Sequence, residues 1–183
     1  HAADRLDRNR VQHVPAKLSI RIHPQAVIAH TNVGLANCVI GSINAAFEHV
    51  VRTSFASQGL MGALGARLTA VEPGRVTIEL TFSDRIAQQH GRFHSGVIGA
   101  IAETAGSCAA LSLMPAGSDV LTIEYKINFM RPARGNLLRA TGQVVRAGKS
   151  VTVVRAEVET VDGEAVAASA LMQATSIRVT IPQ

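Results

Sequence analysis

The sequence contains no tryptophan, one tyrosine and five phenylalanines, so aromatic side chains make up only 3% of its 183 residues. Proteins that grip single-stranded nucleic acid stack bases on aromatic platforms, and this composition speaks against that class. There are two cysteines, Cys38 and Cys108, and no CxxC pair. Zinc-finger and dithiol-redox motifs are therefore absent, and the chain suits a reducing compartment, with the cytoplasm as the expected location. Long charge-free apolar runs are also missing. The best candidate for a membrane span, residues 96–115, carries Glu103 in its middle, so no membrane association is expected. The first residues are charged and lack a signal-peptide core. No glycine-rich phosphate loop of the Walker or Rossmann type occurs. Metal ligands and a cofactor are not expected.

Charge is present but uneven. The formal net charge is +5. Residues 1–25 hold Arg5, Arg8, Arg10, Lys17 and Arg21 against Asp4 and Asp7, five cations against two anions, a net of +3 that leaves +2 for the rest. A nucleic-acid role would have to rest on that tail, and none is expected.

Hydrophobic residues make up 47% of the chain, much of it alanine and valine. That excludes wholesale disorder, and the length favours one domain with a sizeable core. Residues 1–45 show no sustained period and read as an N-terminal extension, with the domain spanning 46–180. Residues 44–58 look helical, with Phe47, Val50, Val51, Ser54 and Phe55 near one face, and Gly59 and Gly62 are expected to end that helix. Residues 63–71 can form a strand that closes at Pro73-Gly74. Val76, Ile78, Leu80 and Phe82 then alternate with polar residues, the two-residue period of a half-buried strand.

A polar loop with two histidines, His90 and His94, runs into a helix predicted to reach about Leu113, with Ser95 as a possible cap. This helix is apolar nearly all round, which places it inside the protein. Its one carboxylate, Glu103, must be neutralised, paired or used, because burying an unpaired charge is costly. Four strand-like segments come next, with a turn signal at Asp162-Gly163. Helix, two strands, buried helix and four strands imply an α+β fold with an antiparallel sheet wrapped around one long helix.

With these residues, that order resembles the hotdog fold. Within it, the chain is similar to the phenylacetic-acid-degradation-type acyl-CoA thioesterases and their 4-hydroxybenzoyl-CoA thioesterase relatives. The resemblance covers residues 47–179. It is carried by Gln88 with His94-Ser95-Gly96-Val97-Ile98 and by Ala102-Glu103-Thr104. The run from Thr122 through Glu124-Tyr125-Lys126 to Arg131-Pro132-Ala133, and the turn Arg146-Ala147-Gly148-Lys149-Ser150, complete it. The family normally reads His-Gly-Gly before the helix, where this chain has His94-Ser95-Gly96. The resemblance implies hydrolysis of an acyl-CoA thioester. In that reading the backbone N–H after His94 polarises the carbonyl, Gln88 stands where relatives carry Asn or Gln, and the turn with Arg146, Lys149 and Ser150 meets the CoA end. It also implies active sites shared across a homodimer, and a dimer of dimers, hence a homotetramer.

The residues themselves support parts of this picture. A helix N-terminus has free N–H groups and a positive dipole end, which puts the carbonyl oxygen at Ser95 and Gly96. Glu103 would deprotonate water or attack the carbonyl directly. Ser107, one turn beyond, can hold the carboxylate or the water, and His94 is better suited to fixing the loop than to acting as base. Nine residues separate His94 from Glu103, about 13 Å along a helix and roughly half a turn out of phase. One helix is ill placed to bring both to one carbonyl; two helices from two subunits can, with Gln88 and Ser95 from one chain and Glu103 from the other. Arg131, Arg134, Arg146 and Lys149 are candidate phosphate ligands. Two other readings stand beside the hydrolase: a hotdog enoyl-thioester hydratase or dehydratase, with His94 turned inward beside Glu103, and a non-catalytic acyl-CoA-binding hotdog protein.

Overall fold

The structure is a computed structural model that describes residues 44–180. The expected N-terminal extension, apart from its last two residues, lies outside the described residues, as does Cys38.

The first element among the described residues is α1 (Phe47–Ser57), which buries Val51. Gly59 does not end the helical region, as the sequence suggests. After Gln58 the chain turns into a short second helix, α2 (Gly59–Leu64), closed by Gly65 at φ 71°. This left-handed C-cap is nearly free of cost for glycine. The first strand is correspondingly shorter than its pattern implies. β1 (Arg67–Glu72) pairs antiparallel with β2 (Arg75–Thr81) across the Pro73-Gly74 turn.

The polar loop then carries structure that its composition does not announce. A 3-10 turn over Asp84–Ile86 leads to two two-residue strands, β3 (Ala87–Gln88) and β4 (Arg92–Phe93), paired as a small hairpin. The long helix α3 (Ser95–Leu111) comes next and ends two residues before the expected stop. The chain closes with β5 (Ser118–Phe129), β6 (Leu137–Ala147), β7 (Val151–Asp162) and β8 (Ala165–Thr180).

Six strands form one antiparallel sheet in the order β1-β2-β6-β7-β8-β5. Alternation sets its inner face. Val76, Ile78 and Leu80 of β2, Leu138, Ala140 and Val144 of β6, Val154, Ala156 and Val158 of β7, and Ala170, Met172 and Ala174 of β8 are all buried. In β8 the small residues hide this period from the sequence, although burial alternates from Ala170 to Ser176. Helix α3 lies against the inner face and contacts β2, β5, β6, β7 and β8. Twelve of its seventeen residues are buried, which explains its all-round apolar character. Burying a side chain such as Ile101, fully hidden here, contributes roughly 1.5–3 kcal/mol.

Two glycines let helix and sheet approach closely. A Cβ on Gly142 of β6 would fall 2.2 Å from the carbonyl oxygen of Ala105, and one on Gly106 would fall 2.9 Å from Val154 Cγ2. The far end of the helix is tied down by Ser112, which is fully buried. Its hydroxyl accepts from the Gly74 N–H at 2.7 Å and donates to the Ala109 carbonyl at 2.7 Å. The expected architecture, an antiparallel sheet around a buried helix, is the one observed.

Candidate active site

Helix α3 positions the site, beginning at its N-terminus. The cap is His94, not Ser95. The His94 backbone N–H donates to the Ile86 carbonyl at 3.0 Å, and its carbonyl accepts from Val97 at 3.0 Å and Ile98 at 3.2 Å. Its side-chain Nδ1 accepts from the Gly96 N–H at 3.0 Å, so the ring proton belongs on Nε2. A Cβ on residue 96 would press to 3.1 Å from that Nδ1, which accounts for glycine there. These bonds tie the loop to the helix through His94. One consequence is that the Gly96 N–H is taken. The Ser95 N–H stands in the first orphan position of the helix, where the helix itself offers no acceptor.

Gln88 sits half-buried on β3. Its Oε1 accepts from the His90 N–H at 2.5 Å, which closes the β3–β4 turn and leaves the side-chain NH2 as a donor group. His90 is exposed at the turn.

Glu103 lies two turns further along α3 and is half-buried. The ion pairs among the described residues are Arg52–Glu48, Arg67–Glu79, Arg139–Glu79 and Arg155–Glu157, and Glu103 belongs to none of them. Its Oε1 accepts from the Thr122 hydroxyl at 2.5 Å. Beside it opens a cleft of about 460 Å³ lined by Gly99, Ala100, Glu103, Thr122, Ile123, Glu124 and Tyr125. Gly99 and Ala100 stand one turn before the carboxylate on its own face of the helix, so this wall is nearly bare. A Cβ on Gly99 would meet nothing within 4 Å.

Ser107 does not reach the carboxylate. Its hydroxyl donates to the Thr104 carbonyl at 3.1 Å, within the helix. Cys108 is 2% exposed, the small core residue its setting implied. Burial, and secondarily the charge of Glu103, push its thiol up to about 12.

Sequence spacing could not have found Thr122 or Tyr125 as neighbours of Glu103. A break in strand register brings them there. On β5, Thr122 pairs with Ser176 and Glu124 with Thr175, so Ile123 is an extra residue with no partner on β8. Such a bulge re-aims the residues beyond it. Tyr125 then pairs with Ala174, and Ile127 with Met172, both inner-face positions.

One chain does not gather all the expected site residues. Gln88, His94, Ser95 and Gly96 do not line the Glu103 cleft. The four expected CoA contacts are also divided. Arg146, Lys149 and Ser150 are exposed around the β6–β7 turn, next to Val151, whose β8 partner Ile177 pairs with Leu121 of β5. Arg131 lies just past Phe129, eight residues further along β5 and roughly 26 Å away. It is nearer the start of α3, where the Phe93 N–H meets the Ala133 carbonyl at 3.2 Å. Among the described residues no group of three or more His, Cys, Asp or Glu is placed to hold a metal ion, and no helix is long and apolar enough to cross a membrane.

A half-buried, unpaired carboxylate beside a cleft, on a helix wrapped by an antiparallel sheet, agrees with what comparison with known proteins finds. The sequence profile of the thioesterase superfamily matches residues 90–167. A crystal structure of a thioesterase family protein from Silicibacter pomeroyi is 36% identical, with a TM-score of 0.72, and the match covers 74% of this chain and 99% of that one. The chain belongs to the thioesterase superfamily. The PaaI protein of E. coli, from the phenylacetic acid degradation operon, shares the fold at 24% identity and a TM-score of 0.67, over 77% of this chain and all of that one. The 1,4-dihydroxy-2-naphthoyl-CoA hydrolase of Listeria monocytogenes is 28% identical over 95 residues, 52% of this chain and 77% of that protein. For this thioesterase-superfamily member, thioester hydrolysis is the supported reaction class, and the hotdog architecture is the observed one.

Proposed function

We propose that this chain hydrolyses an acyl-CoA thioester to the free acid and CoA, at sites shared between two subunits. The observation that carries this reading is the state of Glu103. It faces a cleft, has no ion-pair partner among the described residues, and is held by a single hydroxyl. A carboxylate placed for structure alone would be expected to have a cation beside it.

In the proposed reaction the thioester carbonyl oxygen sits on the Ser95 N–H at the positive end of α3, with the Gln88 NH2 as a second donor to the carbonyl or the water. Glu103 of the other subunit either takes a proton from water, whose oxygen then bonds to the carbonyl carbon, or makes that bond itself to give a mixed anhydride that water then hydrolyses. The C–S bond breaks, and CoA leaves as a thiolate that is then protonated. The two routes separate in a single turnover in ¹⁸O-water. Label in Glu103 marks the second route, with the anhydride opened at the enzyme's carbonyl, whereas the general-base route puts label in the product acid alone.

The division of the site supports the shared arrangement, because one chain keeps Ser95 and Gln88 out of the Glu103 cleft. The second copy has a surface to meet. β5 is an edge strand, and Ile123, Tyr125 and Phe129 on it are 57%, 53% and 49% exposed. A long apolar edge of this kind is left open only at a cost in unwanted pairing. The assignment extends to a dimer of dimers in the cytoplasm. Arg146, Lys149 and Ser150 are assigned to the phosphate-bearing end of CoA, with Arg131 reaching the ligand from the other subunit. The engagement of His94 with Gly96 favours hydrolysis over the hydratase reading, which needs that ring beside Glu103.

The test is free-thiol release from a panel of acyl-CoAs, together with mixing of Gln88→Ala and Glu103→Ala subunits. Hybrid dimers should regain one intact site. Ligand-induced thermal stabilisation without thiol release across the panel would instead indicate a binding protein.

A further inference from the structure

We infer that Thr122 is the positioning residue of the reactive carboxylate, gripping Glu103 Oε1 so that Oε2 alone is presented to the cleft, with buried Ser176 as the support behind it. This rests on Glu103 being the reacting group.

Glu103 has the usual difficulty of a flexible side chain at the mouth of an open cleft. Among the described residues no cation pairs with it, and Ser107 spends its hydroxyl proton on the Thr104 carbonyl. The hydroxyl that reaches it among the described residues comes from another element, nineteen residues away in sequence, at 2.5 Å. A hydrogen bond from a neutral donor to an ionised acceptor is among the stronger kinds and is directional. It ties down one carboxylate oxygen and, through the rigid carboxylate plane, fixes the direction of the other.

Thr122 is itself held. Its Oγ1 lies 3.5 Å from the Ser176 hydroxyl across the β5–β8 ladder, and Ser176 is fully buried. Thr122 has one hydroxyl proton, and the carboxylate is acceptor-only when ionised. That proton therefore goes to Glu103, and the Ser176 proton turns toward Thr122. The result is a one-way chain, Ser176 to Thr122 to Glu103, anchored in the dry side of the sheet.

The backbone is arranged for this contact. Thr122 is the last residue before the register break, and Ile123 is the unpartnered extra residue. The break lets Thr122 and, three residues on, Tyr125 both occupy inner-face positions beside the cleft. A regular strand would place one of them on the outer face, because side chains alternate. The bulge thus delivers both the hydroxyl that orients the acid and the ring that walls the cleft.

Thr122→Val keeps the side-chain volume and removes the donor, whereas Thr122→Ser keeps the donor. In the intact oligomer, with an acyl-CoA that the wild type turns over, Thr122→Val should lower kcat about 10- to 100-fold, as expected when a reacting group drifts by an ångström. KM should stay within about threefold. Thr122→Ser should recover kcat to within about threefold of wild type, and Ser176→Ala should give a smaller loss than Thr122→Val. Because Thr122 acts through Glu103, adding Thr122→Val to Glu103→Ala should cost nothing further. If Thr122→Val prevents folding, Thr122→Ala compared with Thr122→Ser carries the same test. Wild-type kcat in Thr122→Val, or an equal loss in both backgrounds, would overturn the inference. Full activity in Glu103→Ala would instead overturn the reading of the acid on which it rests.

Discussion

Replacing Gly142 with alanine would put a methyl group where the helix backbone already is. The added Cβ would lie 2.2 Å from the Ala105 oxygen, 2.3 Å from its carbonyl carbon and 2.5 Å from the Gly106 nitrogen. Ordinary contacts between heavy atoms lie near 3.5–4.0 Å, so helix and strand must part by about 1 Å. Overpacking in a core usually costs about 1–3 kcal/mol, more when nothing can yield. Here the obstacle is main chain in the central helix, and a gap of 0.5–1 Å forfeits a quarter to a half of each dispersion contact along it. We therefore expect a loss of about 3 kcal/mol or more, or roughly 6–12 °C in Tm for a chain of this size. Thiol release should fall as well, since Glu103 is two residues from the displaced Ala105. Urea and thermal denaturation measure the first effect. Gly99→Ala is the matched control. Its Cβ meets nothing within 4 Å, so it should hold stability or raise it by up to about 1 kcal/mol through helix propensity. A Gly142→Ala protein melting within about 2 °C of wild type would refute the claim that helix and sheet are in backbone contact here.

Gly99→Leu should fill the cleft beside Glu103, lowering thiol release about tenfold or more for bulky acyl groups while Tm stays near that of Gly99→Ala. Glu103→Ala should reduce thiol release about 10²–10⁴-fold while its elution on size-exclusion chromatography matches that of the wild type. Ser112→Ala should cost about 1–3 kcal/mol in urea unfolding, because it leaves the buried Gly74 N–H without its acceptor. Cys108 gives a pH prediction. Its thiol ionises near 9 when free and is pushed up to about 12 in the fold, so above pH 9 the unfolded chain loses a proton that the native one keeps. Stability then falls as pH rises from about 9 toward 12, and is unaffected by this group below that range. Cys108→Ala should remove that part of the decline, and thiol reagents at pH 8 should label Cys108 only after unfolding.

Periodicity and one charged residue revealed much of this molecule. The alternation of Val76, Ile78 and Leu80 gave β2, the all-round apolar pattern of residues 96–111 gave a helix enclosed by protein, and a carboxylate at its centre marked the place where chemistry was to be sought. These are local signals, because burial imposes a period of two on a strand and of 3.6 on a helix wherever the element ends up. The β3–β4 hairpin and the short α2 escaped detection because two-residue strands and six-residue helices are too brief to show a period. The cap is His94 rather than Ser95 because a histidine accepts through Nδ1 in the right rotamer, which composition does not reveal.

The sequence alone determined the class of the fold, the helix that carries the acid, and the kinship of its motifs. Tertiary structure decided what the acid touches. Thr122 reaches Glu103 only because β5 pairs with β8 in one register on one side of Ile123 and in another beyond it. Gly142 matters only because Ala105 lies on it. The separation of Ser95 from the Glu103 cleft is likewise a fact of packing. Contacts between elements far apart in the chain depend on register and approach distance, and no short stretch of sequence encodes either.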